Sequence, residues 1–191
     1  ESAWRAMWEF KDHGKSYEGV YEREHPPGFR WVHESFGTNW RMLEMQAVIG
    51  RIQLRRMQDW AAARARNAEA IWEAARPYSA VRIPVLPRES AHAHYKAYLY
   101  VRPDRLATGW SRDRIVENIH ARGVPCYQGS CSEVYLEKAF DNTGWRPDSR
   151  MPIARQLGET SLMFLVHPTL TESEIAKTCS VVREVLAEAS V

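Results

Sequence analysis

Between Gly37 and Ala75 the chain contains no proline; the first one after that stretch is Pro77. Leu43, Ala47, Gly50, Leu54, Met57, Ala61, Ala65, Ala68, Trp72 and Ala75 recur at spacings of three and four. That spacing lays a stripe of apolar and small side chains along one face of a helix. At 1.5 Å per residue the helix would be roughly 50 Å long, more than a small domain needs. Met42, Met45, Val48, Ile49 and Ile52 lie off the stripe, so the first turns are expected to be buried on several sides. Arg51, Arg55, Arg56, Arg64 and Arg66 mark the later turns as more solvated. Apolar all round at one end and amphipathic at the other, the helix reads as a strut between two packed bodies.

The rest of the chain must supply those bodies. Its 191 residues are 45% hydrophobic and 26% charged, a balance that builds a globular core and excludes disorder. A net charge of +2 gives no case for a nucleic-acid partner. Only five lysines occur, Lys11, Lys15, Lys96, Lys138 and Lys177, so arginine carries most of the positive charge. Arginine favours fixed pairing with carboxylates or phosphates. Cys126, Cys131 and Cys179 follow no metal-binding pattern, and a reduced, cytoplasmic protein is expected. No apolar run approaches the eighteen or so residues of a membrane span. The sequence opens at Glu1, without an initiator Met or signal peptide, inside a helical pattern.

In chain order, Trp4, Met7 and Trp8 predict a helix that His13-Gly14 stops. Residues 15–36, with Pro26-Pro27-Gly28, predict a long loop. After the strut, residues 76–91 read as extended. His94–Val101 alternates as a strand, with Tyr95, Ala97, Leu99 and Val101 on one face. Ser111 starts a helix that Gly123 closes. A short strand over 124–127, a turn at Gly129-Ser130-Cys131-Ser132 and a short helix over 134–140 follow. A helix from Met151 ends at Gly158, and Ser161–Val166 is a buried strand. Thr171 with Glu174 forms a capping box for the last helix.

These residues carry a resemblance. Phe10-Lys11-Asp12-His13-Gly14, then Gly37-Thr38-Asn39-Trp40-Arg41-Met42-Leu43-Glu44-Met45-Gln46-Ala47, Arg66-Asn67-Ala68, His94-Tyr95-Lys96, Ala121-Arg122-Gly123-Val124 and His167-Pro168-Thr169-Leu170-Thr171 occur in this order. Together they resemble the C-terminal half of the DegT/DnrJ/EryC1/StrS aminotransferases. The resemblance implies an α+β fold: the C-terminal small domain of the aspartate-aminotransferase fold (PLP fold type I). That fold has a long helix plus a small, mainly antiparallel sheet with helices packed on it. Residues 1–36 would be the tail of the large PLP-binding domain, 37–75 the interdomain helix and 76–191 the small domain. The implied activity is amino transfer from an amino-acid donor to a nucleotide-linked keto sugar, in a cytoplasmic homodimer. No nucleic acid or membrane takes part. The implied cofactor is pyridoxal 5′-phosphate, held mainly by the large domain. The lysine that bonds it would lie upstream of Glu1, so no catalytic residue is assigned here and the chain alone is expected to be inactive. Relatives that dehydrate sugars, and a structural dimerisation domain without activity, are the alternatives.

Asn39 is the implied cofactor-binding residue, reaching the phosphate of the neighbouring subunit; a helix N-terminus favours anions there. Read by itself, Asn39 is also an ordinary helix cap. Arg41 is a candidate for substrate or cofactor phosphate, or an ion-pair partner of Glu44. His94, Tyr127 and Ser130 complete the substrate candidates. Many members have a His in a Pro-x-His context where Tyr127 and Tyr135 here flank a Ser/Cys turn, so the substrate is left open. His92 and His94, two apart on an expected strand, lack a third ligand, and no metal is expected. Cys131 has no assignable base. The arginines of the strut also suggest a nucleic-acid helix, but Asp59, Glu69 and Glu73 interrupt them.

Overall fold

A computed structural model describes residues 1–191 apart from Pro26, Gly28 and Phe29. Pro26 and Gly28 of the expected Pro-Pro-Gly turn therefore lie outside the described residues. The chain divides into two compact units, Glu1–Arg55 and Arg56–Val191.

In the first unit, α1 (Ser2–Lys11) is followed by α2 (Tyr17–Tyr21). The second helix starts inside the stretch expected to be loop, because Ser16 caps it: Gly19 N–H donates to Ser16 Oγ at 2.9 Å. Trp4 and Trp8 each meet the Tyr17 ring edge-on at 5.3 Å, and Arg5 pairs with Glu18. Behind the helices the backbone folds back on itself. Thr38 N–H donates to Phe10 O (2.7 Å), Trp40 N–H to Lys11 O (2.8 Å), His13 N–H to Thr38 O (3.0 Å) and Glu34 N–H to Gly14 O (2.8 Å). Residues 32–40 are thus laced along residues 10–16. Gly14, at φ +87°, makes the turn that permits this.

The strut is α3 (Glu44–Ala75), 32 residues, or about 48 Å. It begins at Glu44, later than the sequence pattern predicts. Residues 38–40 are held by the backbone of 10–13, so they cannot adopt helical dihedrals. Gln46 then supplies the cap, its Oε1 accepting from Leu43 N–H at 2.9 Å. Met42, Met45, Val48, Ile49 and Ile52 were expected to be buried; in this chain they are exposed. Only the last turns are covered: Ala68, Ile71, Trp72, Ala74 and Ala75.

In the second unit those last turns share one core with four strands and two helices. The strands are β1 (Val81–Arg82), β2 (Ala97–Val101), β3 (Cys126–Tyr127) and β4 (Ser161–Phe164), in sheet order β1-β2-β4-β3 and all antiparallel. Ala97 pairs with Phe164 and Leu99 with Leu162. Ala97, Leu99 and Val101 are buried, as their alternation predicts. Tyr95, expected on that same face, precedes the strand and is exposed. Helices α4 (Arg112–Ala121) and α6 (Glu172–Ala189) give Ile115, Ile119, Val182, Val185 and Leu186 to the core. Trp72 anchors α3 by donating from Nε1 to Tyr98 O at 3.0 Å. The capping box forms: Glu174 N–H donates to Thr171 Oγ1 (3.3 Å) and Thr171 N–H to Glu174 Oε2 (2.7 Å). Helix α5 (Pro152–Thr160) runs through Gly158, the expected stop. The short helix expected over 134–140 is two 3-10 turns, Val134–Leu136 and Lys138–Phe140.

Candidate functional site

Asn39 and Arg41 lie in the first unit. Asn39 forms an antiparallel bridge with Asp12, flanked by the Trp40-to-Lys11 and His13-to-Thr38 bonds. This is the non-hydrogen-bonded kind of pair, in which facing side chains come closest. Asn39 Oδ1 accepts from both the backbone N–H (3.4 Å) and Nε (3.3 Å) of Arg41. Arg41 Nε also lies 3.4 Å from Asp12 Oδ1, and its Nη2 3.4 Å from His13 Nε2. Two N–H groups on Asn39 Oδ1 fix which way the amide points. Its Nδ2 therefore faces away from Arg41 as a donor, with no partner among the described residues. Asn39 is not a helix cap, since α3 begins five residues later. Nor does Arg41 pair with Glu44; its carboxylate is Asp12.

His94, Tyr127 and Ser130 lie in the second unit. His94 is not on a strand, because β2 begins at Ala97. It takes a left-handed φ of +45°, is buried, and packs on Trp72 with ring centroids 5.5 Å apart. Its backbone N–H donates to His92 Nδ1 at 3.1 Å. Burial, and secondarily the charge of His92, lowers its pKa from the ordinary histidine value. The ring thus rests on a core tryptophan, with its Nδ1 buried and without a hydrogen-bond partner among the described residues.

Ser130 lines an open cleft of about 660 Å³ together with Gln128, Cys131, Glu133, Glu137, Lys138, Arg150 and Glu159. Tyr127, half-exposed beside it in sequence, rests edge-on against His120 at 5.5 Å. The loop that carries Ser130 is held at many points. Ser161 Oγ donates to Gln128 O (2.6 Å) and Gln128 Nε2 to Asp113 Oδ1 (2.8 Å). A Cβ on Gly129 would press on the Tyr98 ring and one on Gly158 on the Ser132 hydroxyl, so those side chains would have to shift. Glu133 takes Arg150 in an ion pair and accepts from the Tyr135 hydroxyl at 2.7 Å. The Tyr135 hydroxyl in turn accepts from Met151 N–H at 2.9 Å. Arg150 first, and Tyr135 second, hold the Glu133 carboxyl at about 2. Hydroxyls and carboxylates on a rigid rim suit a hydroxyl-rich ligand.

Sequence reasoning missed Asp12, His13, Glu133 and Arg150. The Asp-His-Gly run and the paired tyrosines hint at the neighbourhoods. Which residues face each other across 27 or 17 positions is a matter of tertiary structure alone. Among the described residues no group of three or more His, Cys, Asp or Glu is placed to hold a metal ion. No helix among them is long and apolar enough to cross a membrane.

Residues 1–183 match the model of the DegT/DnrJ/EryC1/StrS aminotransferase family. The erythromycin biosynthesis sensory transduction protein EryC1 of Saccharopolyspora erythraea is 28% identical over 142 residues, 74% of this chain and 36% of that protein. The solved aminotransferase from Psychrobacter cryohalolentis is 59% identical, with a TM-score of 0.87, over 96% of this chain and 49% of that one. A Streptococcus pneumoniae protein, named as a candidate sugar aminotransferase and solved in its PMP form, shares the fold. Its TM-score is 0.73 at 15% identity, over 98% of this chain and 44% of its own. The chain thus spans about half the length of the solved relatives it matches, and about a third of the curated one.

Proposed function

The chain belongs to the DegT/DnrJ/EryC1/StrS aminotransferase family, and from that premise we propose that it forms the C-terminal half of a pyridoxal-phosphate-dependent enzyme. That enzyme moves an amino group from an amino-acid donor to a nucleotide-linked keto sugar. The observation that carries the reading is the state of Asn39. Its Oδ1 is consumed by Arg41 and its Nδ2 is left as an outward donor. Arg41 is half-exposed and positive beside it. One amide N–H, on a residue held by a backbone bridge, and one guanidinium beside it fit a phosphate. When bound, the cofactor supplies the electron sink for moving a proton at the carbon that gains or loses nitrogen. The chain's own part is to bind and orient. Asn39 donates to the phosphate, Arg41 neutralises it, and the Gln128–Lys138 rim orients the hydroxyls of the sugar.

In this reading residues 1–36 complete the large domain, 37–75 link the domains and 76–191 form the small domain. The lysine that bonds the cofactor belongs to the half that the chain does not cover. Lys11 lies 3.8 Å from the Trp8 ring centre and Lys177 Nζ donates to Gly123 O, uses that suit neither for the purpose. The exposed Met42, Met45, Val48, Ile49 and Ile52 support a homodimer, since apolar rows of this kind are covered in stable proteins.

The test is the full-length protein with Asn39→Ala. A hydrogen bond to a charged acceptor contributes about 1.5–3 kcal/mol, so the dissociation constant for pyridoxal phosphate is expected to rise roughly ten- to hundredfold. The melting temperature of the cofactor-free form is expected to hold. An unchanged dissociation constant removes Asn39 from the site.

A further inference from the structure

Asp12 is the least explained polar residue of the first unit. Its carboxylate is 15% exposed, and its Oδ1 is buried with no hydrogen bond reaching it. Arg41 Nε at 3.4 Å and Lys15 Nζ at 3.7 Å face that oxygen as charges. A buried carboxylate oxygen without hydrogen bonds costs stability. Its environment has to return that cost through the two cations. The backbone leaves it little choice of place. Asp12 is locked opposite Asn39 by the bridge, and Lys15 N–H donates to its carbonyl at 3.0 Å.

We propose that Asp12 is a positioning residue that orients Asn39 through Arg41 for an incoming phosphate; the proposal rests on the reading of Asn39 given above. The chain of contacts is short. Asp12 faces the Nε edge of the guanidinium as a charge, 3.4 Å away. The same Nε, with the Arg41 backbone N–H, holds Asn39 Oδ1. With Oδ1 occupied, Nδ2 is the face that the phosphate meets. Releasing Arg41 frees the amide to rotate, and half of its orientations then present a carbonyl oxygen to an anion. Asp12 is itself negative, so a merely electrostatic role would make it weaken phosphate binding. Positioning and charge therefore predict opposite signs.

The experiment uses the full-length protein and its dissociation constant for pyridoxal phosphate, read by the cofactor's own absorbance. Asp12→Asn removes the charge at constant size. It is expected to raise the constant about tenfold, and to add nothing in an Arg41→Ala background, because a residue that acts through another is silent once the other is gone. Asp12→Glu keeps the charge but displaces it by one methylene, and is expected to give about a threefold rise that Arg41→Ala likewise abolishes. It carries the test if Asp12→Asn does not fold. An unchanged constant for these variants, a lowered one, or equal losses in both backgrounds overturns the proposal, even if the melting temperature falls. Should Asn39→Ala and Arg41→Ala themselves leave the constant alone, the phosphate reading fails first and this inference with it.

Discussion

Gly37 lies so close to Gly14 that a Cβ built on it would sit 2.6 Å from the Gly14 nitrogen, with Phe10 O at 2.7 Å and Glu9 O at 2.8 Å. All three neighbours are backbone, and backbone cannot swing aside as a side-chain tip does. Gly37→Ala is expected to destabilise the chain by about 2 kcal/mol or more. Gly50 is the control: a Cβ there meets nothing within 4 Å, and it stands inside α3. Gly50→Ala should stabilise by roughly 0.5–1 kcal/mol. Paired thermal melts decide both, and a Gly37→Ala protein as stable as the parent would refute the close approach.

Stability should fall in acid through Glu133. Its folded-state carboxyl stands at about 2, against an ordinary 4.5. The ionised form is thus the one that folding favours. Its contribution is complete above about pH 4.5 and is lost as pH falls from there towards 2. Glu133→Gln should lower the melting temperature at pH 7 and flatten its decline over that window. Identical pH slopes for the two proteins would contradict the Arg150–Glu133–Tyr135 network.

Thiol chemistry should separate the three cysteines. Cys126 is fully buried, and burial pushes its thiol up to about 12; burial also raises Cys179. Cys131 is exposed on the cleft rim. One equivalent of a thiol reagent is therefore expected to react quickly at pH 7.5, at Cys131, and the other two only on unfolding. Peptide mapping of the fast-labelled protein checks the assignment.

Trp72→Phe removes the indole donor that Tyr98 O accepts and leaves part of a core volume empty. The cost is expected to be about 2 kcal/mol, measured by denaturant unfolding. A loss below about 0.5 kcal/mol would show that the indole only fills space at the surface of the core.

How much of this was readable beforehand depends on how local the cause is. The Thr171–Glu174 capping box, the Ser111 start of α4 and the alternation of Ala97, Leu99 and Val101 are set by neighbours in sequence, and each formed as predicted. The start of α3 was misplaced because residues 38–40 are captured by residues 10–13, a long-range claim that helix propensity does not register. The first turns of α3 were expected to be buried because their apolar content is high. Among the described residues nothing buries them, because apolar content alone does not say what packs on a helix face. At the site, Asn39 and Arg41 stand out by motif. Asp12 lies in a motif of its own, Phe10-Lys11-Asp12-His13-Gly14, but its place opposite Asn39 follows from a backbone bridge and not from its spacing. His94 was expected on a strand but precedes β2, held instead against Trp72 of α3, a contact that its spacing in sequence does not show.

The sheet order has a consequence during synthesis. Strand β2 lies at the centre beside β4, yet the whole stretch from Arg102 to Thr160 must be made between them. At about 5–20 residues per second, translation separates the two strands by several seconds. Until then, β2 can borrow only the two residues of β1 along one edge. The last turns of α3, made earlier, can begin to cover its apolar face, but its other edge stays open, the state in which nascent strands pair with the wrong neighbour. Chaperone dependence should therefore begin when Val101 leaves the ribosome and end soon after Phe164 does.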